Sequence, residues 1–188
     1  MPDSPQPTSM DLLHSPKDIA KMVFSLGARI DSDYAHLVSE NNRLMLLGVL
    51  NGAFIFMADL ARAISLPLEV DFIRLSSYED QTASNNHVVM LKAPERSLSD
   101  RHILIVEDIA DCGLTLAWLR GFLAQKRPAS LKIAVAVDKT ERREVPVPLD
   151  YTGFEIDEGF LVGYGLDYAQ SYRNLPGIYR LRFAEPPS

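Results

Sequence analysis

Only one cysteine, Cys112, occurs among the 188 residues, so the chain cannot build an intramolecular disulfide framework or a multi-cysteine zinc site. That usage fits a reducing compartment. Apolar runs are short as well: none approaches the roughly 20 residues that a membrane-spanning helix needs. The N-terminal MPDSPQPTSM has neither the basic nor the apolar stretch of a secretory leader. The expected location is cytoplasmic, with no membrane partner. Positive charge is also in deficit, 19 Lys and Arg against 25 Asp and Glu for a formal charge of -6. With only the small pairs Lys126-Arg127 and Arg142-Arg143 as basic clusters, nucleic acid is not an expected partner. The signatures GxGxxG, GxxxxGK[ST] and GxSxG are missing, and His14, His36, His87 and His102 do not stand at metal-ligand spacing.

What the chain does have is a core-forming composition, 47% hydrophobic and 23% charged, at a length suited to one substantial core with a small appendage. One domain over residues 1–188 is expected. Residues 1–10, rich in Pro and Ser, are expected to fray, with order beginning near Ser15. There Ser15, Pro16 and Asp18 supply an N-cap, an N1 proline and a capping-box acid, followed by Ile19, Met22, Val23, Leu26 and Ile30 at helical spacing. Leu44 to Leu50 is a continuous apolar run closed by Asn51-Gly52, which reads as a buried strand. A helix over Ala53 to Ile64 and a strand over Leu68 to Leu75 follow, and the polar run Ser76 to Asn86 predicts a long exposed loop. Beyond it come a short strand, Val88 to Leu91, and a β-branched strand, His102 to Val106, that stops at Glu107-Asp108. A helix over Thr115 to Lys126 and a buried strand over Leu131 to Val137 come next. Further strands are expected at Tyr151 to Phe154, Phe160 to Val162 and Tyr179 to Phe183. Strands alternating with helices indicate an α/β fold with a mainly parallel sheet, whose ligands bind beyond the carboxyl ends of the strands. Those ends are Leu50, Leu75, Val106 and Val137.

At these places stand LNGAF (Leu50 to Phe54), SSY (Ser76 to Tyr78), VEDIADCGLT (Val106 to Thr115) and DKTERR (Asp138 to Arg143). The third joins an apolar strand, two adjacent acids, an apolar pair, an Asp, a small residue, Gly and Thr. It resembles the phosphoribosyl pyrophosphate (PRPP) binding motif of the type I phosphoribosyltransferases. A loop running from strand into helix presents successive backbone N–H groups where the helix dipole favours a phosphate. Asp111, Cys112, Gly113, Leu114 and Thr115 would cradle the 5-phosphate, Gly113 by allowing a close turn and Thr115 by adding a hydroxyl donor. Glu107 and Asp108 would face ribose hydroxyls or Mg²⁺, because two adjacent acids repel a phosphate.

The likeness runs from about Ser15 to the C-terminus. VDFIRLSSY, the PRPP loop, DKTERREVPV, GFEIDEGFLVGYGLDY and YRNLP follow the order and spacing of the hypoxanthine-guanine phosphoribosyltransferases, and the chain is similar to their short bacterial members. The resemblance implies the type I phosphoribosyltransferase fold: a mainly parallel twisted sheet flanked by helices, with a small hood built from N- and C-terminal segments. It implies a purine-salvage transferase that moves the 5-phosphoribosyl group of PRPP to N9 of hypoxanthine or guanine, giving IMP or GMP and pyrophosphate. Mg²⁺ is the implied cofactor and a homodimer or homotetramer the implied assembly.

The same resemblance distributes roles. Asp111 matches the acid beside purine N7, Lys139 the lysine that donates to O6, Phe160 the aromatic that stacks on the base, and Leu161 the residue whose backbone reads its edge. Asp167 and Arg173 match residues around Mg²⁺ and pyrophosphate, which makes Glu107, Asp108 and Asp167 the implied metal set. Leu50, Asn51 and Gly52 match the pyrophosphate loop, which in the family often holds a cis peptide, and Ser77 and Tyr78 open the loop that serves as a lid. Two residues depart from the pattern: Asn51 stands where many members have Lys, and Cys112 where Thr or Ser is usual. Two other readings are a nucleotide-binding regulatory protein on this fold, which needs a basic face, and the same transfer to xanthine or a pyrimidine. Lys139 and Phe160 favour a 6-oxopurine.

Overall fold

The computed structural model describes residues 5–78 and 87–184. In chain order its first elements are β1 (Pro7–His14), α1 (Pro16–Tyr34), β2 (Leu44–Leu50), α2 (Phe54–Ala63), β3 (Leu68–Tyr78) and β4 (His87–Lys92). They are followed by β5 (His102–Ala110), α3 (Leu114–Ala124), β6 (Ser130–Lys139), β7 (Tyr151–Ile156), β8 (Phe160–Val162) and β9 (Ile178–Phe183).

The central sheet has the order β4-β3-β2-β5-β6-β7, parallel throughout except for the antiparallel edge strand β4. Its two faces are both covered, which is why β2 reads as an unbroken apolar run. Leu44 and Leu46 turn to α1 and α2 on one face; Met45, Leu47 and Val49 turn to α3 on the other. Burial of each such leucine stabilises the fold by about 1.5–3 kcal/mol. Helix α1 starts as the sequence indicates. The Asp18 N–H donates to Ser15 Oγ at 3.3 Å, the Ser15 N–H returns a bond to Asp18 Oδ2 at 3.1 Å, and Ile19, Met22, Val23, Leu26 and Ile30 are all buried. From β2 the chain crosses to β3 on one side, and from β5 to β6 on the other. The crevice between the ends of β2 and β5 is therefore the switch point where a sheet of this kind takes its ligand.

A second sheet, β1-β9-β8, is antiparallel and forms the hood from segments near both chain ends. It corrects the expectation that order begins near Ser15. Strand β1 is mostly exposed, with Met10 and Leu12 in solvent and Leu13 packed on the main core, so its apolar residues give no clear period; its order comes chiefly from pairing with β9. Ser76, Ser77 and Tyr78 do not open a loop either. They end β3, paired with Val89, Val88 and His87 of β4, because antiparallel backbone bonds need no apolar periodicity. The rest of the expected lid, residues 79–86, lies outside the described residues. Strand β5 likewise passes through Glu107-Asp108 to Ala110, its last residues held by pairing with β6. Among the described residues no helix is long and apolar enough to cross a membrane.

Candidate active site

Beyond the ends of β2 and β5 lies a cleft of about 430 Å³ lined by Gly52, Glu107, Asp108, Asp111, Cys112, Gly113, Thr115, Asp167 and Arg173, together with Val49, Leu75, Ile109, Ala110 and Leu116. Beside it a smaller hollow of about 180 Å³ is lined by Lys139, Arg142, Gly159, Phe160, Leu161 and Leu166. The two share Asp108, Ile109, Asp111 and Asp167 as a common wall. Of the residues singled out from the sequence, Leu50, Asn51 and Leu114 line neither, and nothing of the Ser77 and Tyr78 side chains is described. A cleft of about 490 Å³ exists on the far side of α3, against Arg127 and Pro146 to Pro148, but it holds no carboxylate and lies away from the strand ends.

Each wall has a local cause. The Leu50–Asn51 peptide is cis, and the next residue must be glycine, since a Cβ on Gly52 would lie 1.8 Å from Asp108 Oδ2. Gly113 has φ of +86° and caps α3 with no side-chain bond, so Asp111 is not spent as a helix cap and the first N–H groups of the helix face the cleft unanswered by a side chain. A Cβ there would meet the Val145 carbonyl at 2.3 Å. Arg143 holds the loop from outside: its guanidinium donates to the Asp111 and Ala110 carbonyls, each at 2.8 Å, and to the Lys139 carbonyl at 3.2 Å, and it pairs with Asp138. With the carbonyls drawn to Arg143, the loop's amides are left for the cleft. Sequence reading saw Arg143 only as half of a basic pair. Its signal was its place in DKTERR, four residues after Lys139.

The electrostatics divide the site. Glu107 and Asp108 are 8% and 9% exposed, and the nearby cations are engaged elsewhere: Lys139 with Asp111 and Glu141, and Arg173 with Asp167 at 2.7 Å. Burial pushes the Glu107 carboxyl well above its ordinary range and the charge of Asp108 adds to the rise; burial raises Asp108 as well. Asp111 Oδ1 is buried and accepts no hydrogen bond, while the Lys139 ammonium stands 3.5 Å away. Phe160 is 42% exposed, with Tyr168 and Phe183 against it edge-on at 5.0 and 6.3 Å, so its apolar neighbours come from the hood and part of the ring stays open.

Among the described residues no three acidic, histidine or cysteine side chains gather into a metal cage. Asp167 pairs with Arg173 and accepts the Gln170 N–H at 2.8 Å, whereas Glu107 and Asp108 stand side by side near the end of β5. That pair still suits a hard divalent cation of the Mg²⁺ kind, which keeps several waters and takes substrate oxygens in place of a full protein cage.

A strand-to-helix anion cradle at a switch point, an acidic pair beside it and a hood over a second hollow define a phosphoribosyl-binding enzyme fold. Residues 18–169 match the phosphoribosyl transferase domain, and the chain belongs to that family. Within it the chain is 44% identical over 176 residues to hypoxanthine phosphoribosyltransferase of Haemophilus influenzae, covering 94% of this chain and 97% of that one. It is 42% identical over 167 residues to hypoxanthine-guanine phosphoribosyltransferase of Bacillus subtilis, covering 89% and 90%. A solved Trypanosoma cruzi hypoxanthine phosphoribosyl transferase, studied for the role of its C-terminal region in oligomeric state and activity, superposes with a TM-score of 0.87 at 39% identity over 96% of this chain and 95% of that one. The chain is thus a member of the hypoxanthine(-guanine) phosphoribosyltransferases, pentosyltransferases of purine salvage.

Proposed function

We propose that this chain transfers the 5-phosphoribosyl group of PRPP to N9 of hypoxanthine or guanine, using the larger cleft for PRPP and the smaller hollow for the base. The observation that carries this reading is the shared wall. Asp111, with a buried oxygen that accepts no hydrogen bond among the described residues and has only the Lys139 ammonium near it, stands between an uncapped helix start and a lysine beside an open aromatic ring. The barrier lies in breaking the bond from C1 to pyrophosphate through a cation-like transition state, so positioning and electrostatics supply the catalysis. The 5-phosphate takes the amides of Asp111 to Thr115, and the base lies on Phe160 with Lys139 donating to O6. Asp111 faces N7 and receives or shares its proton as N9 attacks. Leu161 offers its backbone to the base edge. Arg173 and the Leu50–Gly52 loop take the leaving pyrophosphate, Arg173 through a planar fork suited to bidentate contact.

Glu107 and Asp108 are the residues that would hold Mg²⁺, which when bound supplies positive charge against the pyrophosphate oxygens. Asp167 acts through Arg173. We further propose one catalytic unit over the whole chain, self-association as a dimer or tetramer, and a cytoplasmic setting.

The test is a PRPP-dependent assay of pyrophosphate release with hypoxanthine, guanine, xanthine, adenine and uracil, with and without Mg²⁺. Turnover is expected with the 6-oxopurines and Mg²⁺; release with none of the bases overturns the reading. Asp111→Asn, which keeps shape but loses basicity, should lower kcat at least about tenfold, or about 1.4 kcal/mol, with PRPP binding unchanged.

A further inference from the structure

We propose that Glu141 is a positioning residue for the purine, a single carboxylate that sets the Lys139 ammonium and the backbone ahead of Phe160 at a fixed separation. The inference rests on the phosphoribosyl-transfer reading and adds a residue to the recognition of the base. Glu141 lies two residues beyond the end of β6. Its Oε2 stands 3.1 Å from Lys139 Nζ and accepts the Gly159 N–H, also at 3.1 Å. The Glu141 N–H in turn donates to the Asp157 carbonyl at 3.1 Å. The turn after β6 and the segment before β8 are thereby joined twice, once by backbone and once by this side chain. The residues that would read O6 and cover the ring face, Lys139 and Phe160, sit at the two ends of that link.

Charge gives a second reason. Lys139 is only 6% exposed, and a buried ammonium needs a counter-charge. Asp111, at 3.5 Å, is one, but Asp111 is also the group placed to take up a proton during transfer. Glu141 is the counter-charge that remains whatever the state of Asp111. The Gly159 N–H and then the Lys139 ammonium hold the Glu141 carboxyl below its ordinary range, so it is ionised at neutral pH.

The test compares Glu141→Ala with Glu141→Gln, which loses the charge but keeps an acceptor for the Gly159 N–H. Calorimetry would measure binding of IMP and, separately, of PRPP with Mg²⁺, and steady-state rates would give KM for hypoxanthine and for PRPP. Glu141→Ala should weaken IMP and raise KM for hypoxanthine about tenfold, with PRPP binding and its KM within about twofold of wild type, and Glu141→Gln should recover part of the loss. Equal losses for IMP and PRPP, or no loss for either, would overturn the positioning role. Wild-type protein that binds PRPP and not IMP would overturn the functional reading instead.

Discussion

Asp71 on β3 and the Glu107–Asp108 pair on β5 expose similarly little surface, 7%, 8% and 9%, but the pair lies deeper in the protein, and the fold treats the two sites in opposite ways. Asp71 accepts the N–H groups of Phe72, Glu95 and Arg96 at 2.7, 2.8 and 3.4 Å and has the Lys92 ammonium 3.5 Å away. Burial works against its charge, but these donors prevail and its pKa lies below the ordinary carboxylate range. Glu107 and Asp108 each accept one neighbouring backbone N–H, at 3.3 and 3.0 Å, and Asp108 feels the charge of Arg173, but burial outweighs these and drives both upward. One carboxylate ties a loop to a strand and serves the fold. The other two are left in a state that folding alone would not favour, which is the mark of groups kept for a ligand.

The largest test removes the unfavourable pair. Glu107→Gln and Asp108→Asn should each lose about a hundredfold or more in kcat/KM for PRPP, about 2.7 kcal/mol of transition-state stabilisation, because the amide keeps one neutral oxygen but loses the charge and the second acceptor that the sugar and its cation require. In the absence of ligand the same variants should melt at or above the wild-type temperature, since a costly buried charge has gone. A variant that melts lower and still turns over normally would break the contrast.

Asp71→Asn should do the reverse. It weakens three backbone bonds to a charged acceptor and should cost about 2 kcal/mol of stability, seen in urea or thermal unfolding. Turnover per folded molecule should stay unchanged. The pH dependence then separates the two sites by sign. Asp71, with its pKa lowered, contributes stability above the ordinary carboxylate pKa and loses it as pH falls through the folded value. Glu107 and Asp108, with theirs raised, are most favourable in acid and lose that stability as pH rises from the ordinary range through the folded values. The stability gap between wild type and Asp71→Asn should therefore close toward acid. The gap between Glu107→Gln and wild type should open toward neutral pH, by at most about 1.4 kcal/mol per pH unit for one group.

The same pair of sites shows how far sequence reading reaches. Glu107-Asp108 was legible because the acids follow a β-branched run and precede Gly113 and Thr115, a local pattern with a chemical reason. Helix α1 and strand β2 were legible on similar grounds, capping residues in one and an unbroken apolar run in the other. Asp71 was not, because an acid within VDFIRL gives no hint that the N–H groups of Glu95 and Arg96 come to meet it from beyond β4. Strand β1 was misread because its partner β9 lies near the other end of the chain. Arg143 and Glu141 escaped for a related reason: they act on backbone atoms, and the carbonyls and amides they hold leave no trace in residue identity. The pairing of Asp167 with Arg173 is what two opposite charges six residues apart suggest without any likeness, and the fold brings them to 2.7 Å.

The smallest expected effect asks whether Asp71 is held by the backbone or by its lysine. Lys92 is partly exposed, reaches Asp71 at 3.5 Å, and also pairs with Glu95 at 3.2 Å, so water and a second acid share its charge. An exposed pair of this kind contributes little, whereas N–H groups fixed by the turn after β4 cannot be replaced by solvent. Lys92→Met should therefore leave the melting temperature close to wild type and keep the acid-side loss of stability that Asp71→Asn abolishes. Were Lys92→Met to match Asp71→Asn in both respects, the low pKa of Asp71 would belong to an ion pair. The contrast with Glu107 and Asp108 would then reduce to the presence or absence of a neighbouring lysine.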